Sequence, residues 1–245
     1  MKNIILSLLV LNLTIMIGNA QELQTDVFQT DKAELKIQFV QHGSIFFEYN
    51  GKVIHVDPVS RMGDYNNYPK ADLILITHHH GDHLDQNAIE LLKKDNTKIV
   101  LTQKCKEMSE YLTDVIVMQN GDILNINELE IAAVPAYNIK HKRENGVPYH
   151  IKGEGNGYVI QFNNKKVYVA GDTENIPEMK ALENIDIAFL PMNLPYTMTP
   201  EMVADAARMF KPQILYPYHY GDTDTSKLLE LLIDEKDIDI RIKKM

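Results

Sequence analysis

The segment His78-His79-His80-Gly81-Asp82-His83-Leu84-Asp85 decides the fold and the chemistry of this chain. It reads as a tight turn between a buried strand and a helix, and such a turn can point His78 and His80 at one metal ion. Asp82 and His83 can then face a neighbouring ion. Mixed imidazole and carboxylate ligands suit zinc, and they also bind manganese, iron or nickel. The alternative, a histidine-rich surface tract, does not explain an aspartate in this register after a buried strand.

The chain on either side of this segment alternates short apolar strands with helices. In the first half, strands are predicted at 35–40, 44–49, 52–56, 73–76, 98–101 and 115–117, with helices at 86–94 and 104–112. In the second half, strands are predicted at 122–126, 129–134, 158–162, 166–170, 185–190, 213–216 and 238–242, with helices at 177–182, 200–210 and 226–232. The shared plan suits two sheets packed face to face with helices outside. No linker separates the halves, so we expect one domain over residues 21–245.

Histidine or aspartate follows the end of five predicted strands. Besides the histidine segment, these residues are His42, Asp57, Asp172 and His219. Loops at one edge of stacked sheets can bring such distant residues into a single site. The sequence therefore predicts a metal site built from both halves of the chain.

The pattern His78-x-His80-x-Asp82-His83 resembles the signature of the metallo-β-lactamase superfamily, and the resemblance covers nearly all of the chain after residue 20. Later stretches resemble a bacterial and archaeal branch of metal-dependent hydrolases, which is similar to ascorbate-6-phosphate lactonase and to the phospholipase D that cleaves N-acyl-phosphatidylethanolamines. These stretches are Tyr137-Asn138, Pro148-Tyr149-His150, Gly157-Tyr158-Val159-Ile160, Ala170-Gly171-Asp172-Thr173, Ile176-Pro177-Glu178-Met179, Leu190-Pro191, Tyr196-Thr197-Met198 and His219-Tyr220-Gly221. The resemblance implies an α+β fold, the four-layer αββα sandwich.

The resemblance also implies a set of ligands for two divalent metal ions. His78, His80 and a later histidine would hold the first ion, Asp82, His83 and His219 the second, and Asp172 would bridge them. The later histidine is either His150 or His141. We favour His150 because it directly precedes the glycine-rich entry to a strand, whereas His141 sits among basic residues of a solvated loop.

Other residues have expected roles around the metals. His42 resembles a pocket residue of the branch, or is an ordinary hydrogen-bonded loop histidine, and Asp57 matches an aspartate that orients a metal-bound histidine. Tyr196 and Tyr220 lie in family-like loops, where each contacts a substrate or packs between helix and sheet. The segment Met192-Asn193-Leu194-Pro195 departs from the branch, which has two glycines there, so the pocket shape is expected to differ.

Charge and cysteine content limit the partners. Lys and Arg number 25 against 34 Asp and Glu, a net charge of -9. Nucleic acids and anionic membranes require a basic surface, so we expect a small-molecule or lipid-like substrate and no nucleic acid. The single cysteine, Cys105, lies in a predicted helix and is expected to be a buried apolar residue. Secreted β-lactamases of this fold use a cysteine as a metal ligand, which argues against β-lactam hydrolysis here.

Residues 1–20 have the layout of a cleavable secretory signal. Lys2 supplies the positive start, residues 4–17 are mostly apolar, and small residues stand at 18 and 20. The alternative is a membrane anchor, but the apolar stretch is shorter than the roughly 20 residues needed to span a bilayer. We expect an exported protein, periplasmic or secreted, with no membrane span after cleavage.

The function expected from these features is metal-dependent hydrolysis of an ester, lactone, phosphodiester or amide bond by a metal-activated water. Asp82 would accept the proton of that water or pass it to the leaving group. One alternative is a non-enzymatic metal-binding envelope protein, although all seven implied ligands are present. The other is an iron-dependent oxidoreductase of the same fold, which calls for a flavin domain or persulfide chemistry.

Overall fold

The N-terminal half of the chain forms the first of two seven-stranded sheets. In the computed structural model, which describes residues 23–245, the strands of this sheet lie side by side in chain order. They are β1 (Gln24–Gln29), β2 (Glu34–Gln41), β3 (Ser44–Tyr49), β4 (Lys52–Val56), β5 (Leu73–Leu75), β6 (Lys98–Leu101) and β7 (Val115–Val117). Neighbours are antiparallel from β1 to β4 and parallel from β4 to β7. The predicted signal segment, residues 1–20, lies outside the described residues.

The C-terminal half repeats this plan in a second sheet. Its strands are β8 (Ile123–Ile126), β9 (Leu129–Ala136), β10 (Gly155–Phe162), β11 (Lys165–Val169), β12 (Ile187–Pro191), β13 (Ile214–Tyr218) and β14 (Asp239–Ile240). They again lie in chain order, antiparallel from β8 to β11 and parallel from β11 to β14. The shared plan predicted from the sequence is therefore observed in both sheets.

Helical segments lie in every crossover between neighbouring parallel strands except the one between β4 and β5, where residues 57–72 form turns and loop. The helical segments are α1 (Gln86–Leu92), α2 (Gln103–Met108), a 3₁₀ helix (Pro177–Ala181), α3 (Pro200–Phe210) and α4 (Ser226–Leu231). The Thr199 hydroxyl caps α3 by accepting a hydrogen bond from the Met202 amide. Within residues 23–245, none of these helices is long and apolar enough to cross a bilayer.

Three apolar clusters separate four layers. The central cluster lies between the two sheets and includes Phe47 of β3 and Phe189 of β12, whose ring centroids are 6.4 Å apart. A second cluster packs the second sheet against α3 and α4, with Val203 and Leu228 in it. The third packs the first sheet against α1 through residues such as Ile89. The order helix, sheet, sheet, helix confirms the αββα sandwich.

Several predicted elements begin or end one to three residues from their observed bounds, and the helix predicted at 177–182 is a 3₁₀ helix. Two larger differences concern β1 and α2. The sequence pattern does not predict β1, because this edge strand is mostly exposed and its polar residues lack a clear apolar face. The helix predicted at 104–112 ends at Met108. There, the Ser109 hydroxyl donates to the Cys105 carbonyl, which the Ser109 amide would use if the helix continued. Cys105 itself is buried in α2, as expected.

His55 on β4 is a buried histidine that packs against an aromatic ring and a backbone carbonyl outside the metal centre. Its ring stacks on Phe46 with centroids 4.7 Å apart, and its Nε2 lies 3.0 Å from the Pro69 carbonyl oxygen. Burial lowers the pKa of His55 to about 4 from its ordinary 6.5, although the bond to Pro69 acts in the opposite direction. The folded protein thus keeps this ring neutral at a pH where the unfolded chain protonates it.

Replacing His55 with phenylalanine should make stability less sensitive to acid. As the pH falls from about 6.5 to about 4, proton uptake by the unfolded chain alone lowers the free energy of unfolding, by about 3 kcal/mol for this pKa difference. His55→Phe cannot take up that proton, so it should lose that much less stability relative to its own value at about pH 8. Urea unfolding of both proteins with a chelator present measures the difference. Identical pH dependences would contradict the prediction.

Candidate metal centre

One edge of the two sheets gathers polar side chains from both halves of the chain. From the first sheet, His42 lies in the turn between β2 and β3, and residues 78–85 follow β5. From the second sheet, His150 precedes β10, Asp172 follows β11 and His219 follows β13. The site is therefore assembled only when both sheets are folded and packed together.

Three imidazoles form a first cluster at this edge. They belong to His78, His80 and His150. The Nδ1 of His80 lies 3.2 Å from the Nε2 of His78 and 3.1 Å from the Nε2 of His150. Three imidazole nitrogens around one point are a ligand set that zinc enzymes use. These are the histidines that the family resemblance implies for the first metal ion.

A second cluster surrounds the Asp82 carboxylate. Its Oδ2 lies 3.2 Å from His42 Nε2, 3.7 Å from His219 Nε2 and 4.0 Å from His83 Nε2. The ring of His42 also lies against that of His219, with centroids 3.6 Å apart. His42 is thus a member of this cluster by distance, although the sequence suggests only a pocket or loop position for it.

The Asp172 carboxylate lies between the two clusters. Its Oδ2 is 3.2 Å from His150 Nε2 and 3.6 Å from His219 Nε2, and its Oδ1 is 3.5 Å from His83 Nε2. One side chain therefore contacts histidines of both clusters. This is the bridging position that the family resemblance implies for it.

Burial favours the neutral form of two histidines in the first cluster, His78 and His80. Burial, reinforced by the neighbouring His83, drives the pKa of His78 well below its ordinary value. Burial and the nearby His150 lower the pKa of His80 to about 4. Their nitrogen lone pairs are therefore available, as metal ligation requires.

The carboxylates around His83 in the second cluster instead favour positive charge. Burial alone would lower the pKa of His83, but the carboxylates of Asp172, Asp57 and Asp82 outweigh it and raise the pKa to about 9. For Asp172, burial opposes ionisation, yet His219 and other histidines around it hold the pKa of the carboxyl well below its usual range. Both shifts indicate a place where a cation is stabilised.

Several buried ligand atoms at the centre have no hydrogen-bond partner within residues 23–245. They include the Nε2 of His83, the Oδ1 of Asp172 and the Nε2 of His219. An unpaired buried polar atom costs about 1–3 kcal/mol, so a group of them facing one another indicates a site arranged to bind a ligand. A divalent metal ion satisfies imidazole nitrogens and carboxylate oxygens together. The residues present therefore fit a metal ion.

Asp57 orients His83 from behind the cluster. Its Oδ2 accepts hydrogen bonds from His83 Nδ1 at 2.8 Å and from the Thr77 hydroxyl at 2.6 Å, and its Oδ1 accepts one from the Thr77 amide at 2.7 Å. Because the carboxylate can only accept, Nδ1 of His83 carries a proton, and Nε2 is the nitrogen that faces the cluster and would bind a metal ion once its own proton is lost. This is the orienting contact expected of Asp57.

Two glycines allow the ligand loops to come this close. Gly171 has a φ of 64°, and a Cβ there would lie 2.9 Å from the Asn156 carbonyl oxygen and 3.0 Å from Thr77 Cβ. A Cβ on Gly43 would lie 2.8 Å from Cε1 of His83. A side chain at either position would push the two sheets, or the His83 ring, away from the centre.

Asn138 positions His150, a role that the sequence does not reveal. Its Oδ1 accepts hydrogen bonds from the amide and the Nδ1 of His150 at 2.8 and 2.7 Å. Its Nδ2 donates to Glu174 and to the Tyr196 carbonyl. The only sequence signal is that Tyr137-Asn138 belongs to a family-like stretch, which gives no reason for the asparagine.

His141 lies outside both clusters. Its Nδ1 donates to the Thr197 carbonyl at 2.9 Å and lies 3.0 Å from a Glu174 oxygen. The buried Glu174 carboxylate also accepts the backbone amides of residues 139–141, which closes this loop on itself. Of the two candidate histidines, the structure brings only His150 to the first cluster.

A cleft of about 390 Å³ opens over both clusters. Its walls include Tyr196, which is 45% exposed, and Asn193 from the segment that departs from the family pattern. Tyr220 is not among the lining residues, because its ring packs against the second-sheet cluster and its hydroxyl donates to the Lys243 carbonyl. His79 also lies outside the two clusters.

Comparisons of the sequence place it among metal-dependent hydrolases. The model of the Beta-lactamase superfamily domain matches residues 36–219. Over 191 residues the chain is 32% identical to a UPF0173 metal-dependent hydrolase from Nanoarchaeum equitans, covering 76% of this chain and 84% of that relative.

Comparisons of the structure agree. A protein from Parabacteroides distasonis described as a metal-dependent hydrolase is 48% identical, with a TM-score of 0.86 over 91% of this chain and 100% of that one. A metallo hydrolase from Ignicoccus hospitalis has the same fold, with a TM-score of 0.70 at 24% identity over 86% of this chain and 95% of that one.

Removing the side chain of Asn138 should weaken metal binding. Loss of a residue that orients a ligating histidine typically costs about 10- to 100-fold in metal affinity, and we expect this for Asn138→Ala. Competition with a chromogenic zinc chelator, on protein first stripped of metal, measures the affinity. Asn96→Ala, the same change in an exposed turn, should bind metal like the wild type. Equal affinities for all three proteins would show that Asn138 does not orient a ligand.

Proposed function

The chain belongs to the metallo-β-lactamase superfamily and is related to its UPF0173 metal-dependent hydrolases, and on that basis we propose that it hydrolyses an ester, lactone, phosphodiester or amide bond of a small-molecule or lipid-like substrate. The observation that carries this proposal is the pair of ligand clusters joined by Asp172. Both clusters face one cleft, so a substrate bound there would reach them together.

We propose that the centre holds two divalent metal ions. The first would be held by His78, His80 and His150, the second by Asp82, His83 and His219, with Asp172 shared. The many imidazole nitrogens favour Zn²⁺, and Mn²⁺, Fe²⁺ and Ni²⁺ are compatible with the same atoms. When bound, such ions supply Lewis acidity, which lowers the pKa of water to about 7 and polarises the bond to be cleaved.

Asp82 is the residue that we propose for proton transfer. Its side chain is 31% exposed and lines the cleft, whereas Asp172 is only 3% exposed. Burial raises the pKa of Asp82, but the nearby imidazole of His219 and the hydrogen bond with His42 outweigh it and hold the pKa well below its usual range. An ionised carboxylate at the cleft can accept a proton from the attacking water and deliver it to the leaving group.

His42 would act on this reaction through Asp82. Its Nε2 is 3.2 Å from Asp82 Oδ2, and its ring rests on that of His219. These two contacts restrict the rotation of the Asp82 carboxylate. We therefore treat His42 as a positioning residue for the proton-transfer step.

The hydrolase proposal is tested by metal-dependent turnover. Protein loaded with zinc should cleave at least one class in a panel of lactones, carboxylic esters, phosphodiesters, amides and β-lactams, and dipicolinate treatment should abolish the activity until zinc is restored. Asp82→Asn should lower kcat by about 10²- to 10⁴-fold, the usual contribution of a positioned acid or base.

A matched control separates this effect from a general loss of charge. Asp114→Asn makes the same substitution at a side chain that is 90% exposed, on the far edge of the first sheet next to β7. It should keep full activity, and metal content should be measured for both variants. Undiminished turnover by Asp82→Asn or by metal-free protein would disprove the mechanism.

We also propose that the mature protein is exported, on the strength of the sequence of residues 1–20 alone. Expression of the full chain in a bacterial host should yield a periplasmic or secreted product whose first residue is Gln21, because signal peptidases cut after small residues in this pattern. N-terminal sequencing of the fractionated product checks this. A cytoplasmic product that retains Met1 would contradict it.

A further inference from the structure

Two arginines that line the cleft form no ion pair with any residue that the structure describes. The chain contains four arginines. Arg208 and Arg241, outside the cleft, have carboxylate oxygens at 3.0 and 2.7 Å. Arg61 and Arg143 both line the cleft, and within residues 23–245 neither forms an ion pair. In a chain with a net charge of -9, both arginines that lack an ion pair among these residues thus line the same cleft.

Arg61 is presented by an anchored loop after β4. The amide and hydroxyl of the preceding Ser60 donate to Asp85 Oδ2 at 2.9 and 2.6 Å, which ties the loop to the start of α1. The Val59 amide donates to the Tyr65 hydroxyl at 3.1 Å. The backbone of Arg61 is therefore held at the wall of the cleft that belongs to the first sheet.

Arg143 is held at the wall formed by the second half of the chain. Its guanidinium carbon lies 5.2 Å from the centre of the Tyr149 ring, and its Nη2 donates to the Tyr149 carbonyl at 3.4 Å. Tyr149 in turn makes an edge contact with Tyr196 at 5.1 Å. These contacts orient the guanidinium before any ligand binds, which reduces the entropy lost on binding.

We infer that Arg61 and Arg143 bind an anionic group of the substrate, a carboxylate or a phosphate, beside the bond to be cleaved. This inference rests on the proposed function, which places that bond at the metal centre. Guanidinium groups bind planar carboxylates and phosphates through paired, charge-assisted hydrogen bonds. The cleft volume of about 390 Å³ suits a small molecule. The substrate class is therefore a small organic anion, held from both walls of the cleft.

Inorganic phosphate and succinate are suitable probes, titrated calorimetrically into the purified, zinc-loaded protein. Arg61→Gln and Arg143→Gln should each weaken binding of at least one probe by about 10- to 100-fold, the usual effect of removing a hydrogen bond to a charged group. Arg208→Gln makes the same substitution at an ion-paired arginine outside the cleft and should leave the affinities unchanged. Arg143→Lys keeps the positive charge but loses the paired donors of the planar guanidinium. It should therefore bind the probes more tightly than Arg143→Gln and more weakly than the wild type.

The pattern across probes identifies the anion. If only the affinity for phosphate falls, the substrate carries a phosphate. If only the affinity for succinate falls, the substrate carries a carboxylate. If both affinities fall, the site accepts either kind of oxyanion. Affinities unchanged in both glutamine variants, or no binding of either probe to the wild type, would overturn the inference. Melting temperature and zinc content, measured for every variant, show that a loss is not due to misfolding or metal release.

The binding assay is independent of catalysis. A loss of probe binding in the variants, with no turnover of any substrate by the wild type, would support the anion site and contradict the hydrolase proposal. Zinc-dependent turnover by the wild type, with unaltered probe binding in the variants, would support the hydrolase proposal and contradict the anion site.

Discussion

The buried carboxylate of Asp172 is the constraint on which the rest of this structure depends. A carboxylate that is 3% exposed is strongly disfavoured in its ionised form unless positive charge lies close to it. His83, His150 and His219 approach it within 3.6 Å, and each comes from a different loop. The fold must therefore bring loops of both sheets to one point, and a bound cation completes the balance of charge there.

Hydrogen bonds between the two sheets, close to the metal centre, hold these loops together. The Tyr158 hydroxyl on β10 donates to the Ile76 carbonyl at 2.8 Å, and the Asn156 amide donates to the Thr77 carbonyl at 2.9 Å. Thr77 then bonds to Asp57, which orients His83. The second sheet thus positions the segment of the first sheet that carries the histidines. Such support is what holds catalytic ligands in place without a flexible loop.

The local charges of the cleft oppose those of the whole molecule. The net charge of -9 disfavours approach of an anion, and the cleft carries Asp82 and Asp172 as well. Metal ions would offset those carboxylates, and Arg61 and Arg143 add positive charge at the walls. Metal binding and recognition of an anionic substrate would then depend on each other, because both change the same local field.

The sequence by itself determined the two-sheet plan, the strand-to-helix turn at His78–His83 and the loops that carry Asp172 and His219, because each of these rests on local pattern and spacing. It missed the exposed edge strand β1, whose pairing with β2 depends on a neighbour and not on its own periodicity. Only the tertiary structure decided that His150 and not His141 joins His80, that Asn138 orients it, and that His42 lies against His219. Those choices are contacts between residues far apart in the chain, and they exist only once both sheets have packed.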